Sequence, residues 1–162
     1  MQLMIKQRVF SLVDTYDIYD ENQNVKYKVK AKFFSVGHKL TVTDAQDRVI
    51  AEIKQKLISI MPTFYVEQNG NLLGTIKQKM SMFRPKYELD YKGWKVEGDF
   101  MHWNYDVYGP LGQIIHIRKK LIAWGDTYFI DFNNDEDELP GILLVIAIDA
   151  ANCITHSNTS NN

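Results

Sequence analysis

Disulfides, a surplus of charge and a familiar catalytic motif are all missing from this chain, and each absence narrows what it can be. Cysteine occurs once, at Cys153, so no disulfide can form within the chain, which suits a reducing compartment. Lys and Arg total 19 against 20 Asp and Glu, a net charge of −1, so a globally basic nucleic-acid binder is not indicated and no nucleic-acid partner is expected. The opening "MQLMIKQRVFSLVDTYDIY" has no basic stretch leading into a long apolar run and no small-residue cleavage site, and no signal peptide is read there. The patterns GxSxG, GxGxxG and the P-loop do not occur. His38, His102, His116 and His156 stand more than four residues from one another, so no paired zinc-ligand spacing is visible. The acid pairs Glu97/Asp99 and Asp44/Asp47 come without a nucleophile or a motif. The expectation is a non-enzymatic protein with no cofactor and no metal.

Long apolar runs are scarce as well. There is one, "ELPGILLVIAIDAANCI", Glu138 to Ile154. Its uninterrupted part, Leu139 to Ile148, is about half of the roughly 20 residues that a membrane-spanning helix needs. No transmembrane segment is expected. A buried helix fits better: Pro140 suits a first turn, where its missing N–H has no helical partner. The acids of "DEDE", Asp135 to Glu138, would face the positive end of the helix dipole. Ile142 to Ile148 is apolar on every side, so the helix should be surrounded by protein. Cys153 would lie on it, where a thiol is ordinarily inert.

The rest of the chain is repetitive. "IKQRVFSLVDTYDI" from Ile5, "VKAKFFSVGHKLTV" from Val29, "IKQKLISIMPTFYV" from Ile53, "IKQKMSMFRPKYEL" from Ile76, "VEGDFMHWNYDV" from Val96 and "IRKKLIAWGDTYFI" from Ile117 follow one plan. Each has an alternating segment, a short break and a second alternating segment, at steps of about 20 to 24 residues. Alternation reads as strands, so six units predict about twelve of them. The links "DENQN", "TDAQD", "QNGN", "DYKG" and "GPLG" carry turn residues, and no amphipathic helix lies between strands. An antiparallel meander follows. Closing it into a barrel removes the sheet edges. A barrel of that size is too wide for its own side chains to fill, since about eight strands is the filled size. The C-terminal apolar helix is the element available as a plug. One domain is expected over residues 1–155, with a flexible polar tail at 156–162.

A mainly β closed antiparallel barrel around a buried C-terminal hydrophobic helix resembles the tubby-like fold, shared by tubby C-terminal domains, phospholipid scramblases and LURP-one-related proteins. The chain is most similar to the LURP-one-related family, in particular its small members from bacilli, from "MIKQRVFS" through "GHKLTVTDAQDRVIAEIKQKL" to "TYFIDFNNDEDELPGILLVIAIDAAN". Fold alone does not transfer function. Scramblases carry an acidic, calcium-implicated segment near the place of "DTYFIDFNNDEDE", Asp126 to Glu138. Here Ala123, Trp124 and Gly125 precede Asp126, and the EF-hand glycine and distal glutamate are absent, so no calcium site is assigned.

The feature left over is a basic pair in each unit: Lys6 and Arg8, Lys30 and Lys32, Lys54 and Lys56, Lys77 and Lys79, Arg118 and Lys120. Lys26 and Lys28 extend the row, and the fifth unit breaks it with Glu97 and Asp99. Members of a pair stand two apart and share a strand face. The candidate ligand-binding residues are Lys54, Lys56, Lys77, Lys79, Arg118 and Lys120. They are expected to face outward on neighbouring strands, within reach of one anionic partner, and to attract phosphate at about 1 kcal/mol per basic residue. Tubby domains bind phosphoinositides through basic surface residues, so the resemblance implies an anionic lipid headgroup or another phosphate-bearing ligand. The alternatives are a solvated outer face whose lysines discourage aggregation and a scaffold that binds a protein partner through outer strands or loops. A cytoplasmic location is expected, peripheral at the membrane where lipid is the ligand.

Overall fold

A computed structural model describes residues 1–6, 15–33, 37–79, 86–99, 102–122 and 125–159. Its strands are β1 (Gln2–Lys6), β2 (Thr15–Tyr19), β3 (Val25–Phe33), β4 (His38–Asp44), β5 (Val49–Gln55), β6 (Thr63–Gln68), β7 (Asn71–Lys79), β8 (Lys86–Tyr91), β9 (Lys95–Asp99), β10 (Asn104–Gly109), β11 (Gly112–Ile122) and β12 (Gly125–Phe132). A 3₁₀ turn, Asp135–Asp137, leads into the helix α1, Glu138–Thr159. Each sequence repeat is one hairpin, and the predicted twelve strands and C-terminal helix are present.

The strands form one 12-stranded sheet in the order β8-β7-β6-β5-β4-β3-β2-β1-β12-β11-β10-β9. Every pairing is antiparallel, and β1 pairs with β12 from Gln2↔Asp131 to Lys6↔Thr127, which joins the two ends of the meander. The turns form where the sequence places them. Asn69 and Gly70 have φ of 49° and 76°, the positive pair that a two-residue type I′ hairpin requires. Lys92 and Gly93 repeat this geometry between β8 and β9, and the Trp94 N–H donates to the Tyr91 carbonyl at 2.9 Å. Beyond that turn the two strands separate, and among the described residues no ladder joins them. The barrel is therefore nearly closed, with its seam between β8 and β9.

Alternation decides which side chains turn inward. Leu3, Ile18, Val29, Val42, Ile53, Phe64, Ile76, Val107, Ile117 and Ile130 come from ten different strands and are all fully buried. Glu52, Lys54, Glu67, Lys77 and Glu88, at positions of the other parity, take the outer face. The inner ring surrounds α1, where Ile142, Leu143, Leu144, Val145, Ile146, Ala147 and Ile148 are at most 1% exposed. A helix apolar all round is stable only if enclosed, and the barrel encloses it. Gly141 makes the entry fit. A Cβ there would stand 2.4 Å from Ile115 Cδ1 and 2.7 Å from Phe132 Cε1, too close for any side chain without a shift of both neighbours.

Polar contacts pin the helix lengthwise. Tyr27 Oη donates to Glu138 Oε1 at 2.5 Å, and Lys26 Nζ lies 2.6 Å from Glu138 Oε2. Tyr91 Oη donates to the Pro140 carbonyl at 2.8 Å, and Tyr87 Oη donates to Asn152 Oδ1 further up. Tyr87 and Tyr91 both belong to β8, so the edge strand at the seam is tied to the plug. The helix runs on to Thr159. Residues 156–159, expected in the polar tail, are thus helical, because no glycine or proline follows Asp149 to stop the helix. Residues 160–162 lie outside the described set.

Replacing Leu144 or Ile146 by Ala should cost about 2–5 kcal/mol, since neither site can collapse while surrounded on all sides. Deleting the chain from Leu139 onward should leave no cooperative thermal transition, measured by circular dichroism. An unchanged transition in the truncated protein would contradict the role of α1 as the core.

Candidate functional site

Antiparallel connectivity gives the barrel two unlike ends. At the entry end, where α1 begins, lie the between-repeat turns and the acids Asp20, Glu21, Asp44, Asp47, Asp90, Asp135, Glu136, Asp137 and Glu138. Bases there are matched to acids: Lys26 with Glu138 at 2.6 Å, Lys28 with Asp47 at 2.7 Å, Arg48 with Asp44 at 2.7 Å and Lys92 with Asp137 at 3.8 Å. The far end is where the odd-numbered strands finish and the even ones begin. The exposed lysines Lys32, Lys56, Lys79, Lys86 and Lys120 lie at or near those strand ends. Asp99, the last residue of β9, interrupts this collar, as the fifth repeat predicts, and Asp126, the second residue of β12, lies at the same end.

The six candidate residues do not form one band. Lys54 and Lys56 belong to β5 and its end, and Lys77 and Lys79 to β7, so β6 runs between the pairs and they are not on neighbouring strands. The reason is the repeat itself: each unit is a hairpin, so equivalent positions recur at every second strand. Arg118 and Lys120 on β11 lie six strands from β5, half-way round the barrel, and cannot share a ligand with Lys54. Arg118 is engaged where it is, with Nε 3.0 Å from Asp131 Oδ2 and its guanidinium 4.7 Å from the Phe129 ring centre. Lys120 lies 5.5 Å from the same ring centre. Arg8 lies outside the described residues.

Of the four lysines Lys54, Lys56, Lys77 and Lys79, two are neutralised more strongly. Lys54 Nζ stands 2.6 Å from Glu67 and 2.9 Å from Glu52, which Lys39 also meets at 2.5 Å. The Glu67 hydrogen bond, then that of Glu52, holds the Lys54 ammonium above its ordinary range. Lys79 pairs with Glu88 at 2.9 Å. Lys56 and Lys77 form no ion pair within 4 Å among the described residues. They also share a row: the Lys56 N–H donates to the Thr63 carbonyl at 2.8 Å, and Thr63 registers with Lys77. Two strand spacings separate them, about 10 Å. This pair at the far end is the geometry best suited to an anion.

Beside it lies the connection from β5 to β6, 56–62, where the repeat plan has mostly apolar residues and a short break, and where Leu57, Ile58 and Ile60 are 63%, 90% and 95% exposed. The signal was available: turns are ordinarily built from Gly, Pro, Asn, Asp and Ser, and "LISIMP" is mostly aliphatic.

His102 Nδ1 lies 2.8 Å from Asp99, which also accepts from the His102 N–H, and His116 Nδ1 lies 2.6 Å from Asp106, which also accepts from Gln113 Nε2 at 2.7 Å. Among the described residues no cluster of three or more His, Cys, Asp or Glu is placed to hold a metal. In the acidic segment, Asp135 and Glu136 are exposed, while Asp137 accepts from Asn134 at 3.4 Å. Among the described residues no helix is long and apolar enough to cross a membrane. On α1, burial pushes the Asp149 carboxyl up to about 7. Burial, and then the nearby Asp149 charge, pushes the Tyr105 hydroxyl well above its ordinary value.

Comparison with known proteins agrees with this architecture. A family model described as LURP-one-related matches residues 1–149. The uncharacterized protein YxjI of Bacillus subtilis (strain 168) is 28% identical over 149 residues, covering 92% of both chains. An Arabidopsis thaliana protein solved by X-ray crystallography superposes with a TM-score of 0.63 at 18% identity, covering 92% of this chain and 90% of its own. That likeness concerns the fold.

Two measurements test the electrostatics. Lys54→Glu brings a third carboxylate between Glu52 and Glu67 and should destabilise the fold by about 1 kcal/mol, whereas Lys56→Glu should stay within about 0.5 kcal/mol in denaturant titrations. Asp149 binds its proton more tightly in the folded chain, at about 7 against an ordinary 3.8. The contribution of this group to stability is then fully present below pH 4 and is lost as pH rises toward and through 7. Asp149→Asn should flatten the thermal midpoint across that window.

Proposed function

The chain belongs to the LURP-one-related family, and from that premise we propose that it is a non-enzymatic binding protein whose ligand is an anionic lipid headgroup or another phosphate-bearing group. The observation that carries this is the segregation of charge along the barrel axis. Although the net charge is −1, nine acids lie at the helix-entry end, while the exposed lysines Lys32, Lys56, Lys79, Lys86 and Lys120 lie around the far end. Near-neutral overall charge conceals a dipolar surface, and local potential rather than net charge governs attraction of an anion. Lys56 and Lys77 are the residues proposed to meet the phosphate, with Lys79 and Lys86 beside them. Lys54 supports the local charge balance through its two glutamates and does not contact the ligand. Arg118 and Lys120 belong to the same end on the opposite wall.

The reading implies peripheral attachment at a membrane if the phosphate belongs to a lipid. It also implies salt sensitivity, because exposed charges are screened within about 8 Å at physiological ionic strength. Vesicle sedimentation with and without phosphatidylserine, at low and high salt, provides the test. Binding should require the anionic lipid and weaken at high salt. With about 1 kcal/mol per lysine, Lys56→Glu together with Lys77→Glu should weaken it by roughly 25-fold or more. Absence of binding to anionic vesicles and to inositol hexakisphosphate at low salt, with a stable protein complex recovered instead, would replace this reading with the scaffold.

A further inference from the structure

The loop 56–62 presents apolar side chains to water on a built support. The Lys56 N–H closes its base on the Thr63 carbonyl at 2.8 Å. Ser59 Oγ hydrogen-bonds the Met61 carbonyl at 2.7 Å and meets Thr63 Oγ1 at 3.0 Å, and Thr63 Oγ1 donates to the Met61 carbonyl at 3.0 Å. The Gln78 N–H, from β7, donates to the Pro62 carbonyl at 2.9 Å. Leu57 leans on the neighbouring connection, close enough that a Cβ on Gly37 would lie 2.4 Å from its Cδ2. These bonds hold the turn in a shape that leaves Ile58 and Ile60 90% and 95% exposed.

Other exposed apolar residues do not resemble this. Val49, Leu72 and Leu111 are single residues at or beside three different turns at the entry end, the scattered exposure that any surface shows. Only the 56–62 loop, among the described residues, gathers three within four positions. It stands within the lysine collar, between Lys56 and the row of Lys77.

We propose that Leu57, Ile58 and Ile60 form an anchor that enters the apolar boundary of an anionic lipid bilayer while Lys56, Lys77 and Lys79 stay at the headgroups. This rests on the anionic-ligand reading above and commits it to one source, a membrane surface rather than a free phosphate. Charge complementarity favours lipid as the occupant: an apolar tip flanked by Lys56 and Lys77, neither of them in an ion pair within 4 Å among the described residues, matches a layer that is anionic outside and apolar beneath. Interfacial helices bury their apolar faces about 5–10 Å into the headgroup/acyl boundary, and the two isoleucines of this turn are the side chains that would enter that layer. Rigidity helps further, because a turn already ordered in water loses little conformational freedom on insertion.

The test uses the full chain and the variant Ile58→Ser/Ile60→Ser, whose exposed positions leave the core intact, with thermal unfolding as the check on folding. Two probes are compared: vesicles of phosphatidylcholine with phosphatidylserine, and inositol hexakisphosphate, which carries phosphate but no bilayer. The double variant should bind the vesicles at least about tenfold more weakly than the natural sequence and the soluble phosphate equally well. Equal vesicle binding by both proteins would overturn the anchor and leave the basic-end reading standing. Wild-type binding to inositol hexakisphosphate without vesicle binding would do the same. Failure of the wild type with both probes would remove the headgroup reading and the anchor with it.

Discussion

A sheet of twelve strands cannot close into a barrel and fill its own interior, and the structure depends on how that space is occupied. The inward residues of each strand reach only part of the way to the axis, since about eight strands is the size at which side chains meet. An α-helix is suited to the remaining space because its backbone groups are satisfied within the segment, so only its side chains need partners. Ile142 to Ile148 provide a side chain in every direction, and residues from all around the sheet pack on them. This mutual enclosure explains why one segment of an otherwise alternating chain has no polar face. It also explains why Gly141 stands where the helix enters, with Ile115 and Phe132 too close for a Cβ.

The same constraint settles how the seam is managed. Strands β8 and β9 share a tight turn and then part, and an open edge invites pairing with another chain. Here β8 is fastened to the plug instead, by Tyr91 to the Pro140 carbonyl and Tyr87 to Asn152. Tyr27 and Lys26 hold the start of the helix through Glu138. Polar groups inside the barrel therefore serve register along the helix axis as well as satisfaction. Asp149 is the exception in that its burial costs charge, which appears as a carboxyl that keeps its proton to about pH 7. With the axis filled by hydrocarbon, the charged side chains are concentrated on the ends and outer faces, and exposed apolar residues are scattered over three turns at the entry end but gathered in one loop at the far end.

Much of the architecture was legible in the residues. Strand alternation and the recurrence of "IKQK"-like segments give the number of hairpins, because a period of two and a period of about 20 to 24 residues are both local properties of the chain. The turns were legible because Asn69–Gly70 and Lys92–Gly93 adopt positive φ, which few residues accept. The location of the helix stop was not: Thr, His, Ser and Asn weaken a helix without ending it, and α1 continues to Thr159. The surface was less legible still. Repetition suggested that basic pairs stand side by side, but a repeat made of two strands inserts β6 between Lys54 and Lys77 and supplies Glu67 from it as a partner.

What the sequence determined by itself is thus the set of elements and their inward faces. Those follow from hydrophobic periodicity and turn chemistry, and both act between residues close along the chain. Only the tertiary structure decided which charges remain available. Lys54 and Lys56 look alike in "IKQKL", yet one is clasped by Glu52 and Glu67 and the other stands at the open end. The repeat plan marks "LISIMP" only as the surroundings of a break, whereas the closed turn between β5 and β6 holds Ile58 and Ile60 in water. Both outcomes depend on which strand lies beside which and on where each hairpin ends, and pairing across the barrel fixes those distances.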